Sequence, residues 1–351
     1  MAPYVKSTPT GVRFETDMLE EDVVMKTPKE KYRGRIVWPS VIVFAYLHVA
    51  ALYGAYLLFT SAKLMTAAFT FVLYMVCGVG ATAGAHRLWA HKSYKAKWPL
   101  QVLLMICNTV GFQWSVINWA RDHRVHHKYS ETNADPHNAK RGFFFAHIGW
   151  LLSRKHPDVK ERGKIIDISD LEKNPVLVFQ KRHYAVLVFL LCFFVPTVVP
   201  VVCWNETWLN AVFVPTILRY VLTLNATWLV NSAAHLYGNK PYDKFINPSE
   251  NLGVAILACG EGWHNYHHVF PWDYKASELG NYRFNVTTAF IDLFAKIGWA
   301  YDLKVVPRDI VQKKVKRTGD GSHEAWGWGD ADQTQEDRDQ TVVMHRLKKD
   351  S

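Results

Sequence analysis

Sixteen of the 351 residues are histidine; eight of them fall in three short clusters, and a ninth, His235, belongs with these. His86 and His91 sit five apart in H-R-L-W-A-H. His123, His126 and His127 form an H-x-x-H-H triplet, and His264, His267 and His268 form a second; His235 stands alone in N-S-A-A-H. Positions i, i+3 and i+4 share a helix face, so each triplet is expected to aim three imidazoles at one point. Neutral imidazole is a metal ligand. Nine such donors exceed the about four to six that one ion takes, and they suit two. The five cysteines (77, 107, 192, 203 and 259) contain no C-x-x-C, which excludes a thiolate zinc site and a disulfide framework. An all-nitrogen shell suits zinc, iron or copper, so ligand type leaves the metal open. The other histidines (His48, His137, His147, His156, His183, His323 and His345) lack the spacing, and packed or solvated roles are expected of them.

Such clusters need elements to hold them, and the apolar residues supply these. Residues 37–59, 64–85, 185–204 and 208–230 are four stretches whose one formal charge is Arg219, each long enough to cross a hydrocarbon core of about 30 Å. Only 60–63 and 205–207 join the members of each pair, so two helical hairpins are expected, with both turns on one side. Arg219 must face the protein interior, where a structural ion pair is expected. A fifth apolar stretch, 98–119, carries Gln101, Asn108, Gln113, Ser115 and Asn118. If it crossed, it would divide His86 and His91 from His123, His126 and His127, so it is expected to lie in the interface or beneath the site. Histidines gathered at one membrane face argue against an ion pathway, which would distribute polar groups through several spans. An open metal site beside oxidisable lipid favours redox-active iron.

Hydrophobic residues at 49%, with charged ones at 21%, exclude a disordered or fibrous chain. The mean hydropathy of −0.08 averages lipid-facing spans with a polar remainder. A net charge of +10 points to anionic partners: lipid, phosphate or an acidic protein. Lys26, Lys29, Lys31, Arg33 and Arg35 precede the first span, and the hairpin turns hold only Lys63. The positive-inside rule then predicts that both termini and all histidine clusters are cytosolic. No cleavable signal is expected, since the first 30 residues are polar, and the first span would serve as the targeting signal. The sequon at Asn205 is expected to be unused. Residues 1–25 and 313–351 read as tails, the latter with the isolated Trp326 and Trp328.

G-A-H-R-L-W-A-H (84–91), W-A-R-D-H-R-V-H-H-K (119–128), L-N-A-T-W-L-V-N-S-A-A-H (224–235) and G-E-G-W-H-N-Y-H-H (260–268) together resemble the motifs of the membrane acyl-CoA desaturases. That is the stearoyl-CoA desaturase family, and the phrasing is similar to its insect branch over about residues 30–310. The resemblance implies an all-α integral membrane fold: four transmembrane helices in two hairpins, capped by a cytosolic helical domain holding a dimetal site. It implies a tail over 1–36, a desaturase domain over 37–312 with its cap in 86–184 and 231–312, and a flexible tail over 313–351.

What it implies chemically is two Fe(2+) ions per chain, held by His86, His91, His123, His126, His127, His235, His264, His267 and His268, with Asn231 contributing through a water. No catalytic residue beyond these ligands is implied. The reaction takes acyl-CoA, O2 and two electrons from cytochrome b5 and its NADH-dependent reductase, and leaves a cis double bond, in the endoplasmic reticulum membrane. Nucleic acid is no partner. The CoA-binding positions match Arg121, Asp122, Arg154 and Lys155, whereas Ser40 stands where relatives often have Asn. The kinked acyl tunnel matches Gln113, Trp119, Thr227 and Trp228, and its closed end matches Tyr74 and Gly78.

Elementary chemistry agrees with this. An unactivated methylene has no acidic proton, so an oxidant made from metal and dioxygen must remove its hydrogen. Asn231 and Glu261 are expected to orient ligands. Gly78 is expected to admit a chain of about 18 carbons, because tunnel depth sets which carbon meets the oxidant. N-P-S-E at 247–250 resembles signatures of delta-9 enzymes. A delta-9 bond in stearoyl- or palmitoyl-CoA is therefore expected, with delta-11 or other pheromone-type regiochemistry, or a diiron lipid hydroxylase, as the alternatives.

Overall fold

The computed structural model describes residues 34–278, 284–323, 333 and 335–342. The basic residues Lys26, Lys29, Lys31 and Arg33, the tail residues Trp326 and Trp328, and His345 lie outside the described residues. In chain order the main helices are α1 (Trp38–Thr60), α2 (Leu64–Ala90), α3 (Trp98–Gly111), α4 (Val116–Tyr129), α5 (Tyr184–Trp204) and α6 (Trp208–Leu236). They continue with α7 (Leu252–Leu257), α8 (His264–Val269), α9 (Val286–Lys296) and α10 (Arg308–Thr318). One two-stranded antiparallel pair, Lys95–Ala96 with Ala300–Tyr301, ties the end of the first histidine cluster to the chain after α9.

Helices α1, α2, α5 and α6 are long and apolar enough to cross a membrane, as hydropathy predicts. In α1 22% of the apolar stretch is buried and in α6 61%, so α1 faces lipid while α6 runs through the middle of the bundle. Helices α2 and α6 continue past residues 85 and 230, which puts His86 and His235 on the ends of the spans themselves. The two hairpin turns do lie together. Lys63 Nζ donates to the carbonyls of Trp204 and Asn205 at 2.8 Å, and Glu206 Oε2 accepts from the Lys63 amide at 2.9 Å and from the Thr66 hydroxyl at 2.5 Å. The expected ion pair of Arg219 is not found among the described residues. Its guanidinium instead donates to the carbonyls of Val110 (2.8 Å), Cys192 (2.9 Å) and Pro215 (3.1 Å). Val110 lies in the last turn of α3, where carbonyls are orphaned.

The 98–119 stretch does not run straight: α3 and α4 meet at an 82° bend. Its two ends also return to one place, because His91 and His123 are 2.8 Å apart through their Nε2 atoms. Three of its polar residues, Gln101, Asn108 and Gln113, find protein partners. Asn174 donates to Gln101 (2.7 Å), Gln180 donates to Asn108 (3.2 Å) and Gln113 donates to Thr227 (2.9 Å). Leu100 and Leu104 pack inward beside α2, and the contact is so close at Gly80 that a Cβ there would stand 2.2 Å from the Asn108 amide.

The polar composition after 312 led to the expectation of a flexible tail beginning at 313, and the structure corrects this. Helix α10 continues to Thr318, with Val311 and Lys314 buried, because its apolar positions cover Tyr242, Tyr266 and Phe270.

Candidate metal centre

Each histidine is delivered by a specific local device. His86 lies in a π-helical segment, Gly80–Ala90, where hydrogen bonding runs i to i+5; the His91 amide donates to the His86 carbonyl at 3.0 Å. On an ordinary α-helix, residues five apart point about 140° away from each other. The wider turn brings them round to the same side. Helix α4 carries His123, His126 and His127, the end of α6 carries His235, and α8 carries His264, His267 and His268.

The nine imidazoles form two groups. His86, His91, His123, His127 and His267 offer nitrogens all within 4.8 Å of one another, and so do His126, His235, His264 and His268. The expectation that each triplet aims at one point is therefore corrected: both triplets are divided. At 100° per residue, i and i+4 diverge by about 40° and i+3 swings about 60° the other way. Hence His123 pairs with His127 while His126 joins the other group, and His264 pairs with His268 while His267 crosses over.

Three carboxylates stand behind the imidazoles. His126 Nδ1 is 2.9 Å from Asp135 Oδ1, His235 Nδ1 is 2.8 Å from Glu131 Oε1, and His86 Nδ1 is 3.0 Å from Glu261 Oε2. Asp135 and Glu131 accept the Nδ1 protons of His126 and His235 and thereby turn a bare Nε2 lone pair toward the group's centre, while Glu261 stands at ion-pair distance from His86. Burial alone would raise the Glu261 carboxyl, but Arg87, bonded at 2.8 and 3.0 Å, and His86 hold it down at about 2. Glu261 was foreseen from the sequence. Glu131 and Asp135 were not: they follow the second cluster in E-T-N-A-D, which has no helical spacing to mark it. His137, expected to be structural, is buried with its Nδ1 3.7 Å from Asp135.

The spacing of the imidazoles also fits ligation of a metal. Facing Nε2 atoms stand at 2.8 Å (His91 and His123), 2.9 Å (His235 and His264), 3.0 Å (His86 and His267) and 3.1 Å (His127 and His267; His264 and His268). Nitrogens bound at about 2.0–2.1 Å to a shared ion stand about 2.9–3.4 Å apart. Burial, and then the neighbouring imidazoles, hold His264, His267 and His268 well below the usual histidine value, so these three rings are neutral donors.

An apolar cavity opens onto both groups. His86, His123, His126, His264 and Asn231 line one part of it, Trp119 and Thr227 the middle, and Tyr74, Gly78 and Leu257 another part. On α2, Gly78 and Tyr74 precede His86 by eight and twelve residues, roughly 12 and 18 Å along the axis, so the cavity runs from the histidines into the membrane layer. Gln113 and Trp228 do not line it. Gln113 buttresses Thr227 from behind, and Trp228 packs edge-on against Phe44 (5.6 Å) and His147 (5.7 Å), away from the expected tunnel wall. Asp122 accepts from Arg121 at 2.8 and 3.0 Å and pairs with Lys155. Arg154 is exposed next to Lys155, its amide bonded to the Arg35 carbonyl at 2.9 Å.

The fatty acid desaturase family model matches residues 62–282. Among curated relatives, the "Acyl-CoA Delta-9 desaturase" of Acheta domesticus is 65% identical, covering 99% of this chain and 99% of its own. The "Acyl-CoA Delta(11) desaturase" of Spodoptera littoralis is 58% identical over 89% of this chain and 92% of its own. The "Stearoyl-CoA desaturase" of Sus scrofa is 53% identical over 88% and 86%.

Proposed function

The chain belongs to the fatty acid desaturase family, and from that premise we propose that it inserts a cis double bond at the delta-9 position of a saturated acyl-CoA, stearoyl or palmitoyl, with two irons, O2 and two electrons from cytochrome b5. The observation that carries this reading is the apolar cavity that runs from two histidine groups along α2 into the membrane layer. A saturated chain fits such a space because it offers only CH2 groups to be buried.

The nine histidines, with Asn231 beside His235, hold the irons; bound there, iron supplies the one-electron and O2 chemistry that a C–H bond of an unactivated methylene demands. The chain's own residues do the rest. Asp135 and Glu131 fix the tautomers of His126 and His235, and Glu261 stands beside His86. Arg121, Arg154 and Lys155 attract the CoA phosphates, with Asp122 holding Arg121 and Lys155 in register. Trp119 and Thr227, with Gln113 behind Thr227, shape the bend, and Tyr74 and Gly78 limit the depth, so that one carbon pair lies beside the histidines. The Lys and Arg residues that flank the first span (Lys26, Lys29, Lys31, Arg33 and Arg35) support a cytosolic side for the termini and the site, in the endoplasmic reticulum membrane. There the basic excess of the chain also steers an acidic electron donor, so turnover with cytochrome b5 falls as salt rises.

Expression in desaturase-deficient yeast, followed by location of the double bond in products from defined acyl chains, tests the reading. A delta-11 or delta-12 product would sink the regiochemistry alone; hydroxylated lipid would sink the desaturase assignment.

A further inference from the structure

The H-x-x-H-H helix α8 is six residues long, too short to hold its own orientation, so something outside must aim His264, His267 and His268. Asn265, between the first two, is fully buried and acts as a hub. Its Oδ1 accepts from the amides of Tyr242 (2.9 Å) and Asp243 (3.0 Å), and its Nδ2 donates to the carbonyls of Asp243 (3.0 Å) and Pro248 (2.8 Å). Asp243 is buried in turn, and its Oδ2 is met by Lys314 Nζ at 2.6 Å, from α10. Around this pair, Thr318 Oγ1 donates to the Tyr242 carbonyl at 2.7 Å and the Lys244 amide donates to the Thr318 carbonyl at 2.9 Å.

We propose that Lys314 is a positioning residue for the metal centre: through Asp243 and Asn265 it clamps the loop after His235 onto α8 and so holds the α8 histidines on target. This rests on the metal reading above. The lysine is 5% exposed, and a buried carboxylate that loses its partner charge drives the surrounding loop toward solvent.

The test is the release of ferrous iron to a chelator from the full-length protein, purified in detergent and reconstituted with Fe(2+), alongside its thermal melting. Lys314→Met should release iron about ten-fold faster than the unaltered protein, the scale of a lost supporting shell. Lys314→Arg, which keeps the charge, and the double variant Asp243→Asn with Lys314→Met, which leaves no unpaired charge, should both restore slow release. If Lys314→Met cannot be purified, Asp243→Asn, of nearly equal volume, supplies the same reading. Wild-type release rates in Lys314→Met, or an Arg variant as leaky as the Met variant, would overturn the inference and leave the metal reading standing. Unaltered protein that retains no iron would overturn both.

Discussion

Nδ1 of His126 and Oδ1 of Asp135 stand 2.9 Å apart in a wholly buried pair, nine residues apart in the chain. The carboxylate also takes the amides of Glu131 (2.9 Å) and His137 (3.0 Å), so it is fixed from its own loop before it meets the imidazole. Replacing Asp135 with Ala frees the His126 ring to rotate or change tautomer. Iron affinity should fall about 10–100-fold, read as iron per chain after dialysis, and turnover should fall with it. Glu131→Gln should do less, because the amide oxygen still accepts from His235 Nδ1. Equal effects would mean that the tautomer-fixing role is wrong.

How much of this was legible in the sequence depends on whether a local rule governs each part. The four spans were, because crossing hydrocarbon demands a length and an absence of charge that no tertiary contact can replace. The gathering of the nine histidines was, because H-x-x-H-H confines three imidazoles to one helix face. Its division between two centres was also written there, in the 100° step, but an i, i+3, i+4 pattern is easily taken as one direction. The π-helical turn that brings His86 and His91 together left no mark, since G-A-T-A-G-A is equally good α-helix. Nor did the docking of 313–318: K-K-V-K-R-T looks like a solvated run until Asp243 is known to wait beneath Lys314. Trp228 went to the wrong neighbourhood because an aromatic beside Thr227 on a helix points about 100° away from it.

Gly78 lines the cavity. A Cβ built on Gly78 would lie 2.6 Å from Cys259 Sγ, on the wall that Tyr74 closes by donating to the Leu257 carbonyl at 2.5 Å. Gly78→Leu should therefore fill the far part of the cavity and shift preference from chains of about 18 carbons to shorter ones, with the metal content unchanged. Competition among acyl-CoAs of different length, read by gas chromatography, checks this; an unaltered chain-length profile would remove Gly78 from the end wall.

The metal-free protein should lose stability on mild acidification. Burial and neighbouring imidazoles lower His264, His267 and His268 well below their ordinary 6.5, whereas the unfolded chain takes up those protons at about 6.5. More protons bound in the unfolded state means that stability rises with pH. The contribution is thus complete above about pH 6.5 and is lost as pH falls below it. Melting temperatures of the chelator-treated protein should be flat from about pH 8 to 7 and fall between about pH 6.5 and 5. A flat curve across that lower range would show that these rings are solvated or protonated in the fold.

Arg219 carries a charge into the middle of a membrane protein and meets backbone rather than a carboxylate. Its three carbonyl contacts lie on three different helices: Val110 on α3, Cys192 on α5 and Pro215 on α6. Val110 sits in the last turn of α3, where no helical donor follows, so its carbonyl depends on the guanidinium. Arg219→Met keeps most of the volume and removes all three bonds. An orphaned buried carbonyl costs about 1–3 kcal/mol, which is the loss expected for Val110. A lysine in place of the arginine has three donors but no planar fork, so Arg219→Lys should recover part of the loss. Thermal melting in a fixed detergent, with iron content as the control, should rank the unaltered protein first, the lysine variant second and the methionine variant last. If Arg219→Met were as stable as the unaltered protein, the carbonyls would have to be satisfied by something other than this guanidinium, and the tie between α3, α5 and α6 would have to be sought elsewhere.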